Sequence, residues 1–217
     1  MAVNEKAYHQ IIQEFVHSSV TLVAVSKLKP ASDIEALYKL GQLDFGENYV
    51  QELVEKQAVL PSNINWHFIG HLQSNKVKYI APFVHLIHGV DSLKLLQEIN
   101  KQALKNNRVI DCLLQVHIAK EETKFGMDAP ELSAALEAAK HLPNVNIRGL
   151  MGMASFSDDQ DVVASEFNYL HELFTTHHFN LQPTAVLSMG MSADYALAIK
   201  SGSTMVRIGS LLFGARQ

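Results

Sequence analysis

The sequence predicts a single (β/α)8 barrel of the TIM type with an additional helix at its amino terminus. Short apolar, β-branched runs alternate with amphipathic stretches, eight such runs occur within 217 residues, and most of them are continuously apolar. Continuously apolar runs are typical of parallel strands that are covered on both faces. Eight strand–helix units are the content of a TIM barrel, although this chain is somewhat short for that fold.

The eight apolar runs mark the predicted strands. An open, doubly wound sheet has the same alternation of strands and helices, so the number of strands favours a closed barrel without proving closure. The predicted strands are Val20–Ser26, Leu43–Phe45, Ile64–Ile69, Val84–Ile87, Val109–Ile118, Val145–Met151, Thr184–Leu187 and Met205–Ile208.

The stretches between the strands carry signals for helix starts and ends. A leading helix is expected over about residues 4–16, ahead of the first strand. Pro30 predicts the start of a helix that ends at Gly41, and Asp128 predicts the start of another. The stretch over residues 158–178 is predicted to form the longest helix.

Composition indicates a soluble, cytoplasmic, single-domain protein over residues 1–217. The net charge of −4 gives no electrostatic reason to expect nucleic acid or an anionic membrane as a partner. The only cysteine is Cys112, which excludes an intrachain disulfide and fits a reducing compartment. The amino terminus does not read as a signal peptide, and no apolar run approaches the ~18 residues that a membrane span requires. No linker, repeat or low-complexity tract interrupts the pattern.

Polar or glycine-rich clusters follow most of the predicted strands. In a barrel the carboxyl ends of all strands meet on one face, where active sites are built. The amino ends show no comparable clustering, so the sequence predicts a site at the carboxyl face. The clusters are Ser26-Lys27, Gly46-Glu47-Asn48, Gly70-His71, Gly89-Val90-Asp91, Gly152, Ser188-Met189-Gly190 and Arg207-Ile208-Gly209-Ser210.

Lys27 directly follows the first predicted strand, which places its amine at the mouth of the barrel. Desolvation there lowers the pKa of an amine, which a lysine needs in order to form a Schiff base with a carbonyl. The alternative is a solvated surface lysine, which is the commoner situation for this residue type.

The last two loops predict an anion site. In barrels, phosphates commonly bind the loops after the seventh and eighth strands. Here the seventh loop contains Ser188 and Ser192 and leads into a helical stretch over Tyr195–Lys200, and the eighth contains Gly209 and Ser210. Glycines let backbone N–H groups approach an anion and serines offer hydroxyls, although ordinary turns and helix caps use the same residues.

The histidines do not predict a metal site. His85 and His88 are an odd number of positions apart, so on one strand they point to opposite faces. His67 and His71 flank the end of the third strand, and only His71 is expected near the barrel mouth. With one cysteine and no HExxH pattern, we expect no metal.

Six segments in order resemble the pyridoxal phosphate homeostasis protein family. The resemblance extends over nearly the whole chain, and although each segment is a weak signal, the six together are specific. The segments are Ala24-Val25-Ser26-Lys27, Phe45-Gly46-Glu47-Asn48-Tyr49, Trp66 to Lys76, Arg148-Gly149-Leu150-Met151, Ser188 to Asp194, and Arg207-Ile208-Gly209.

The resemblance implies a fold like the barrel domain of alanine racemase and a pyridoxal 5′-phosphate (PLP) cofactor. It implies that Lys27 carries the cofactor as a Schiff base, that Asn48 lies close to it, and that Arg207 faces the pyridine nitrogen. The phosphate would be held by the seventh loop together with Gly209 and Ser210. The full expected cofactor-binding set is Lys27, Asn48, Met151, Ser188, Met189, Ser192, Arg207, Gly209 and Ser210.

Three functions compete for this site. The first is a PLP carrier for intracellular PLP homeostasis, without robust catalysis, which acts as a monomer and supplies PLP-dependent apo-enzymes. The second is a PLP-dependent amino acid racemase or lyase. The third is a Schiff-base aldolase for a phosphorylated sugar, because an amine and an anion site serve that reaction as well. The residues alone leave the second and third open, and the resemblance favours PLP and the first.

Overall fold

The computed structural model describes residues 3–16, 18–121 and 123–214. Within these ranges, eight parallel strands close into a barrel in sequence order, because β1 pairs with both β2 and β8. The predicted closed barrel is confirmed. The strands are β1 (Thr21–Val25), β2 (Asp44–Glu47), β3 (Asn65–Phe68), β4 (Leu86–Val90), β5 (Ile110–Gln115), β6 (Val145–Met151), β7 (Val186–Met191) and β8 (Met205–Ile208).

Helices cover the outside of the barrel, and one of them precedes the first strand as predicted. No helix in the described part of the chain combines the length and the apolar character that crossing a bilayer requires. The α-helices are α1 (Glu5–Phe15), α2 (Ala31–Lys39), α3 (Val50–Val59), α4 (Val77–Ile80), α5 (Leu93–Lys105), α6 (Ala129–Ala139), α7 (Gln160–Thr176), α8 (Tyr195–Lys200) and α9 (Ser210–Phe213).

Capping side chains begin two of the helices, and one of them, Asp128, was predicted from the sequence. The Asn4 side chain caps α1 by accepting the backbone N–H of Ala7 at 3.1 Å. At the start of α6, the Asp128 carboxylate accepts the N–H of Glu131 at 2.8 Å, and the Glu131 carboxylate accepts the N–H of Asp128 at 3.1 Å. This reciprocal pair satisfies two N–H groups that the helix itself leaves without acceptors.

Several strand boundaries differ from the prediction by two or more residues, and two of them affect the interior of the barrel. The seventh strand was expected to end at Leu187, but β7 continues to Met191, and β4 continues past Ile87 to Val90. Two of the residues that extend them, His88 and Ser188, are polar and lie beyond the predicted strand ends. They are in strands because each finds a hydrogen-bond partner inside the barrel, so burial costs them little.

The barrel interior is filled, as in other barrels of this size. A cluster of buried apolar side chains occupies part of it, and buried polar side chains from β3, β4, β7 and β8 occupy another part. The apolar cluster consists of Val23, Leu86, Leu113, Met151 and Met205. A second and larger core lies between the barrel and its helices. The residues described here form one barrel, and the assignment of the whole chain 1–217 to one cofactor-binding domain stays a prediction.

Candidate functional site

A cavity of about 340 Å³ opens at the carboxyl ends of the strands. This volume falls in the range of small-molecule sites in proteins. Apolar side chains such as Val25, Ile69 and Met153 form part of its wall. Six of the nine sequence-predicted site residues also line it, and these are Lys27, Asn48, Ser192, Arg207, Gly209 and Ser210.

Lys27 is half-buried in this cavity, immediately after β1. The next residue, Leu28, adopts φ 61°, a left-handed conformation that is unfavourable for a leucine and therefore needs support from its surroundings. The backbone N–H of Leu28 donates to Glu52 Oε1 at 2.6 Å, and Lys29 Nζ donates to the Phe213 carbonyl at 2.8 Å. The first of these bonds supports the turn that follows Lys27, and the second ties Lys29 to the end of α9.

A buried ion-pair network lies behind Lys27. Lys56 Nζ donates to Glu47 Oε1 at 2.7 Å, to Glu52 Oε1 at 2.6 Å and to the Ser26 carbonyl at 2.7 Å. The Ser26 hydroxyl also donates to Glu47 Oε1 at 2.6 Å. Burial raises the pKa of the Glu47 carboxyl, and the neighbouring Lys56 ammonium opposes that rise. The network ties the ends of β1 and β2 to α3, and sequence reasoning missed Lys56, whose i, i+4 spacing from Glu52 was the available signal.

Arg207 forms part of the cavity wall from β8 while being almost completely buried. Its Nη1 donates to Ser188 Oγ at 2.6 Å, and its Nη2 donates to the Gly152 carbonyl at 3.0 Å. Burial lowers the pKa of the guanidinium to about 10, so Arg207 remains a cation at neutral pH. The cavity therefore has a fixed, positively charged donor on one side.

A chain of hydrogen bonds runs from Arg207 through the barrel interior. Ser188 Oγ lies 3.2 Å from His88 Nδ1, His88 Nε2 lies 2.9 Å from His67 Nδ1, and His67 Nε2 lies 3.0 Å from Asp44 Oδ1. The chain links a cation at the carboxyl end of the barrel to a carboxylate at its amino end. We call these five residues the interior relay.

The chemistry of its two ends gives the interior relay a direction. Arg207 can only donate, so the Ser188 oxygen accepts from it, and at the other end the Asp44 carboxylate accepts from His67 Nε2. Burial holds the pKa of His88 well below its ordinary value, so this ring is neutral. With the hydrogen of His67 on Nε2, His67 Nδ1 accepts from His88 Nε2, and His88 Nδ1 accepts from the Ser188 hydroxyl. Although burial opposes it, the hydrogen bond from His67 keeps the pKa of Asp44 lowered.

The seventh and eighth loops meet at the cavity. The Gly209 backbone N–H donates to Ser192 Oγ at 3.2 Å, and the Met191 N–H donates to Asp194 Oδ1 at 2.5 Å. Ser210 is exposed and begins α9. The two loops therefore contact each other as predicted, through the hydrogen bond from the Gly209 N–H to the Ser192 hydroxyl.

Three predicted site residues lie outside the cavity lining. Ser188 is fully buried and contacts Arg207 from beneath. Met151 belongs to the apolar cluster inside the barrel, and Met189 packs in the core between barrel and helices. The positions of Ser188 and Met189 follow from the length of β7, because the expected loop Ser188-Met189-Gly190 is part of that strand.

One rim of the cavity is formed by Phe156, which is 95% exposed. Its backbone N–H donates to Glu121 Oε1 at 2.9 Å, and this bond is the main cause that lowers the pKa of the Glu121 carboxyl to about 2. Lys124 Nζ donates to the Ala154 carbonyl at 2.5 Å. These bonds connect the segments after β5 and β6 beside the opening.

Comparison with known proteins defines the class to which this barrel belongs. The sequence profile of the family "Alanine racemase, N-terminal domain" matches residues 6–217. The chain therefore belongs to the alanine racemase N-terminal domain family. An alanine racemase from Bartonella henselae, 18% identical, superposes with a TM-score of 0.70 over 94% of this chain and 57% of its own, which shows a shared barrel fold.

More similar relatives narrow the class. The pyridoxal phosphate homeostasis protein of Pseudomonas aeruginosa is 42% identical over 200 residues, which cover 92% of this chain and 86% of the relative. That of Pasteurella multocida is 42% identical over 204 residues, which cover 92% of this chain and 88% of the relative. This chain is a member of the pyridoxal phosphate homeostasis protein family. PipY of Synechococcus elongatus, solved without PLP and with PLP bound, is 36% identical with TM-scores of 0.88 and 0.85, over 96% of this chain and 99% of PipY.

Proposed function

We propose that this chain binds pyridoxal 5′-phosphate in the carboxyl-face cavity, with covalent attachment through Lys27, and that it serves intracellular PLP homeostasis. One observation carries the proposal: a lysine amine, a buried guanidinium and two serine–glycine loops all line the same cavity. The cofactor offers an aldehyde, a pyridine nitrogen and a phosphate, which are the groups that such residues bind. The relatives named above, and the PLP-bound form of PipY, support the same cofactor.

Asn48 tests whether the cavity suits PLP. Its Oδ1 is buried on the cavity wall and has no hydrogen-bond partner among the described residues. A buried acceptor without a donor is costly, so this atom favours a ligand that brings a hydroxyl or N–H group to it. Pyridoxal carries a hydroxyl beside its aldehyde, so an Asn48 contact is consistent with attachment at Lys27.

The phosphate is assigned to the loop pair of Ser192, Gly209 and Ser210. Backbone N–H groups and hydroxyls are the donors that hold phosphates in barrels of this kind. Because the Gly209 N–H already donates to the Ser192 hydroxyl, phosphate binding requires that bond to be exchanged or shared. A phosphate site whose donors already bond one another suits a cofactor that is bound and then released.

Arg207 bears on the reactivity of the bound cofactor. PLP supplies an electron sink for carbanions, and the sink is strongest when the pyridine nitrogen is protonated. Arg207 is a cationic donor that could not accept that proton, so beside the pyridine nitrogen it would favour the unprotonated form and a weak sink. We therefore propose a protein that holds PLP with at most weak catalysis of its own.

The positions of the tyrosines argue against the racemase alternative. Racemisation requires a proton donor or acceptor on each face of the cofactor, and Lys27 serves one face only. Tyr195 OH donates to Glu14 Oε2 at 3.1 Å, and Tyr49 is exposed and lines a different cavity. No tyrosine of the described ranges lines the cavity that contains Lys27.

The remaining parts of the proposal concern partners and location. We propose that the chain acts in the cytoplasm as a monomer, because the described residues of one chain enclose the cavity. PLP-dependent apo-enzymes are the proposed recipients, and with a net charge of −4 neither nucleic acid nor a membrane is proposed as a partner.

Lys29 provides a matched control for the test. It lies two residues from Lys27 and lines the same cavity, but its amine donates to the Phe213 carbonyl. Cofactor-free wild type, Lys27→Ala and Lys29→Ala proteins are titrated with PLP while the visible absorption is recorded. We expect wild type and Lys29→Ala to develop the band of lysine-linked PLP and Lys27→Ala to lack it.

The proposed role in PLP homeostasis is tested separately, by transfer of PLP to an apo-enzyme. Loaded wild-type protein, freed of excess PLP, should restore activity to an apo-enzyme that depends on PLP. Equal bands in all three proteins would contradict the assignment of Lys27, and a loaded protein that never releases PLP would contradict the homeostatic role.

A further inference from the structure

We propose that the amino end of the barrel, opposite the cofactor cavity, contains a binding site for a divalent transition metal such as Zn²⁺, formed by Asp44, His67 and His85. Each of these residues offers one ligand atom, and the three atoms lie within 4.8 Å of one another. Asp44 begins β2, His67 lies in β3 and His85 immediately precedes β4. The site is thus assembled from three neighbouring strands.

No metal was expected because histidines close in sequence, His85 with His88 and His67 with His71, do not converge. His85 and His88 do separate, since His88 is fully buried and His85 is exposed. The relevant pair is His67 with His85, whose ring centroids are 5.4 Å apart. The expectation that the amino ends of the strands carry no cluster was wrong, because strand pairing brings His67 beside the start of β4.

The ligand types suit a transition metal. Two imidazoles and one carboxylate form a common three-residue set for Zn²⁺ and related ions, and water completes the coordination. A cation placed here also gains from the negative charge of Asp44. The oxygen-rich sets that Ca²⁺ and Mg²⁺ prefer are absent from these three residues.

Neighbouring groups already orient two of the ligands. His67 Nδ1 is 2.9 Å from His88 Nε2, which leaves Nε2 directed at Asp44, and Asn65 Nδ2 donates to Asp44 Oδ1 at 3.1 Å. Metal-binding histidines are characteristically held in this way through their second ring nitrogen. The backbone of His85 is fixed by a hydrogen bond from its N–H to the Trp66 carbonyl at 2.9 Å.

The third ligand, His85, lets a metal ion enter the site from solvent. No hydrogen bond from the His85 ring to another described residue is found, and this side chain is exposed, so it can turn to a metal arriving from solvent. In the metal-free protein the His67 Nε2–H donates to Asp44 at 3.0 Å. A metal replaces that hydrogen between the two ligands, and neutral His67 then carries its single hydrogen on Nδ1 and donates to His88.

The site thereby adjoins the interior relay. With His67 donating to His88, neutral His88 must carry its hydrogen on Nδ1 and donate to Ser188 Oγ, which also accepts from Arg207. Metal binding therefore reverses the His67–His88 and His88–Ser188 hydrogen bonds while Arg207 continues to donate to Ser188, and hydrogen exchange through solvent supplies the new tautomers.

The test uses untagged protein dialysed against a chelator and titrated with Zn²⁺ by calorimetry. It is performed on Lys27→Ala protein as well as wild type, so that metal bound by PLP is not counted and failure of the cofactor assignment does not affect the result. His85→Ala removes one exposed ligand without disturbing the core, and His141→Ala, which removes an exposed histidine after α6, is the matched control.

We expect one equivalent of Zn²⁺ to bind to wild type, Lys27→Ala and His141→Ala alike. Loss of a direct ligand exceeds the 10–100-fold cost of losing an outer-shell partner, so His85→Ala should bind at least about 100-fold more weakly. Co²⁺ should give absorption bands of a low-coordinate site that His85→Ala lacks. The absence of saturable binding to wild type, or equal affinity of His85→Ala and His141→Ala, would overturn the proposal.

Discussion

Replacing Ser188 by alanine tests whether the interior relay stabilises the fold. Ser188 is fully buried, its oxygen accepts from Arg207 at 2.6 Å, and it bonds His88 Nδ1 at 3.2 Å. Serine and alanine have nearly the same volume, so the substitution removes hydrogen bonds and leaves the packing nearly intact. It leaves the Arg207 guanidinium without one acceptor and His88 Nδ1 without its donor, both of them buried.

The magnitude follows from those two lost bonds. A hydrogen bond to a charged group contributes about 1.5–3 kcal/mol, and a neutral one contributes about 1 kcal/mol. The free energy of unfolding of Ser188→Ala should therefore fall by about 2.5–4 kcal/mol. For a domain of this size each kcal/mol shifts Tm by about 2–4 °C, so Tm should drop by roughly 5–15 °C.

The assay is thermal and urea unfolding of cofactor-free protein, with Ser133→Ala as the control. Ser133 is exposed on α6, and its hydroxyl donates to the Ala129 carbonyl of the same helix at 3.0 Å. Its loss should cost no more than about 0.5 kcal/mol. If Ser188→Ala and Ser133→Ala lose the same stability, the interior relay contributes nothing and the reasoning is refuted.

Two further predictions concern the cofactor. Pyridoxal without its phosphate should bind far more weakly than PLP, because each lost charge-assisted hydrogen bond costs roughly 1.5–3 kcal/mol, and Ser192→Ala together with Ser210→Ala should narrow the difference between the two ligands. Equal affinities in wild type, measured by equilibrium titration, would show that these loops are turns only. The loaded protein should exchange the α-hydrogen of L-amino acids with solvent deuterium far more slowly than a racemase, and enzyme-like exchange with inversion would promote the racemase alternative.

The barrel was predictable because each strand carries its own local signal. The bounds of β6, β8 and α8 agree with prediction to the residue. Lys27 is a candidate because it directly follows an apolar run, whereas the role of Arg207 is implied by the family resemblance. Closure depends on the pairing of Val23 with Arg207, which are 184 positions apart, and no local pattern encodes that pairing.

The interior of the barrel was the least predictable part. His88 and Ser188 look like loop residues because polar side chains rarely lie within buried strands. Their partners come from other strands, so the bonds that make their burial tolerable are visible only once the register is known. The same holds for His67 and His85, whose approach depends on the pairing of β3 with β4.

The attachment of PLP to Lys27 is the central claim, and chemical labelling tests it most directly. Loaded wild-type protein is reduced with borohydride, which makes the lysine–cofactor linkage permanent, and is then digested and analysed by mass spectrometry. We predict a phosphopyridoxyl group on the peptide that contains Lys27, at one equivalent per chain. A label found mainly on Lys29, Lys76 or Lys124, or no stable label at all, would contradict the account.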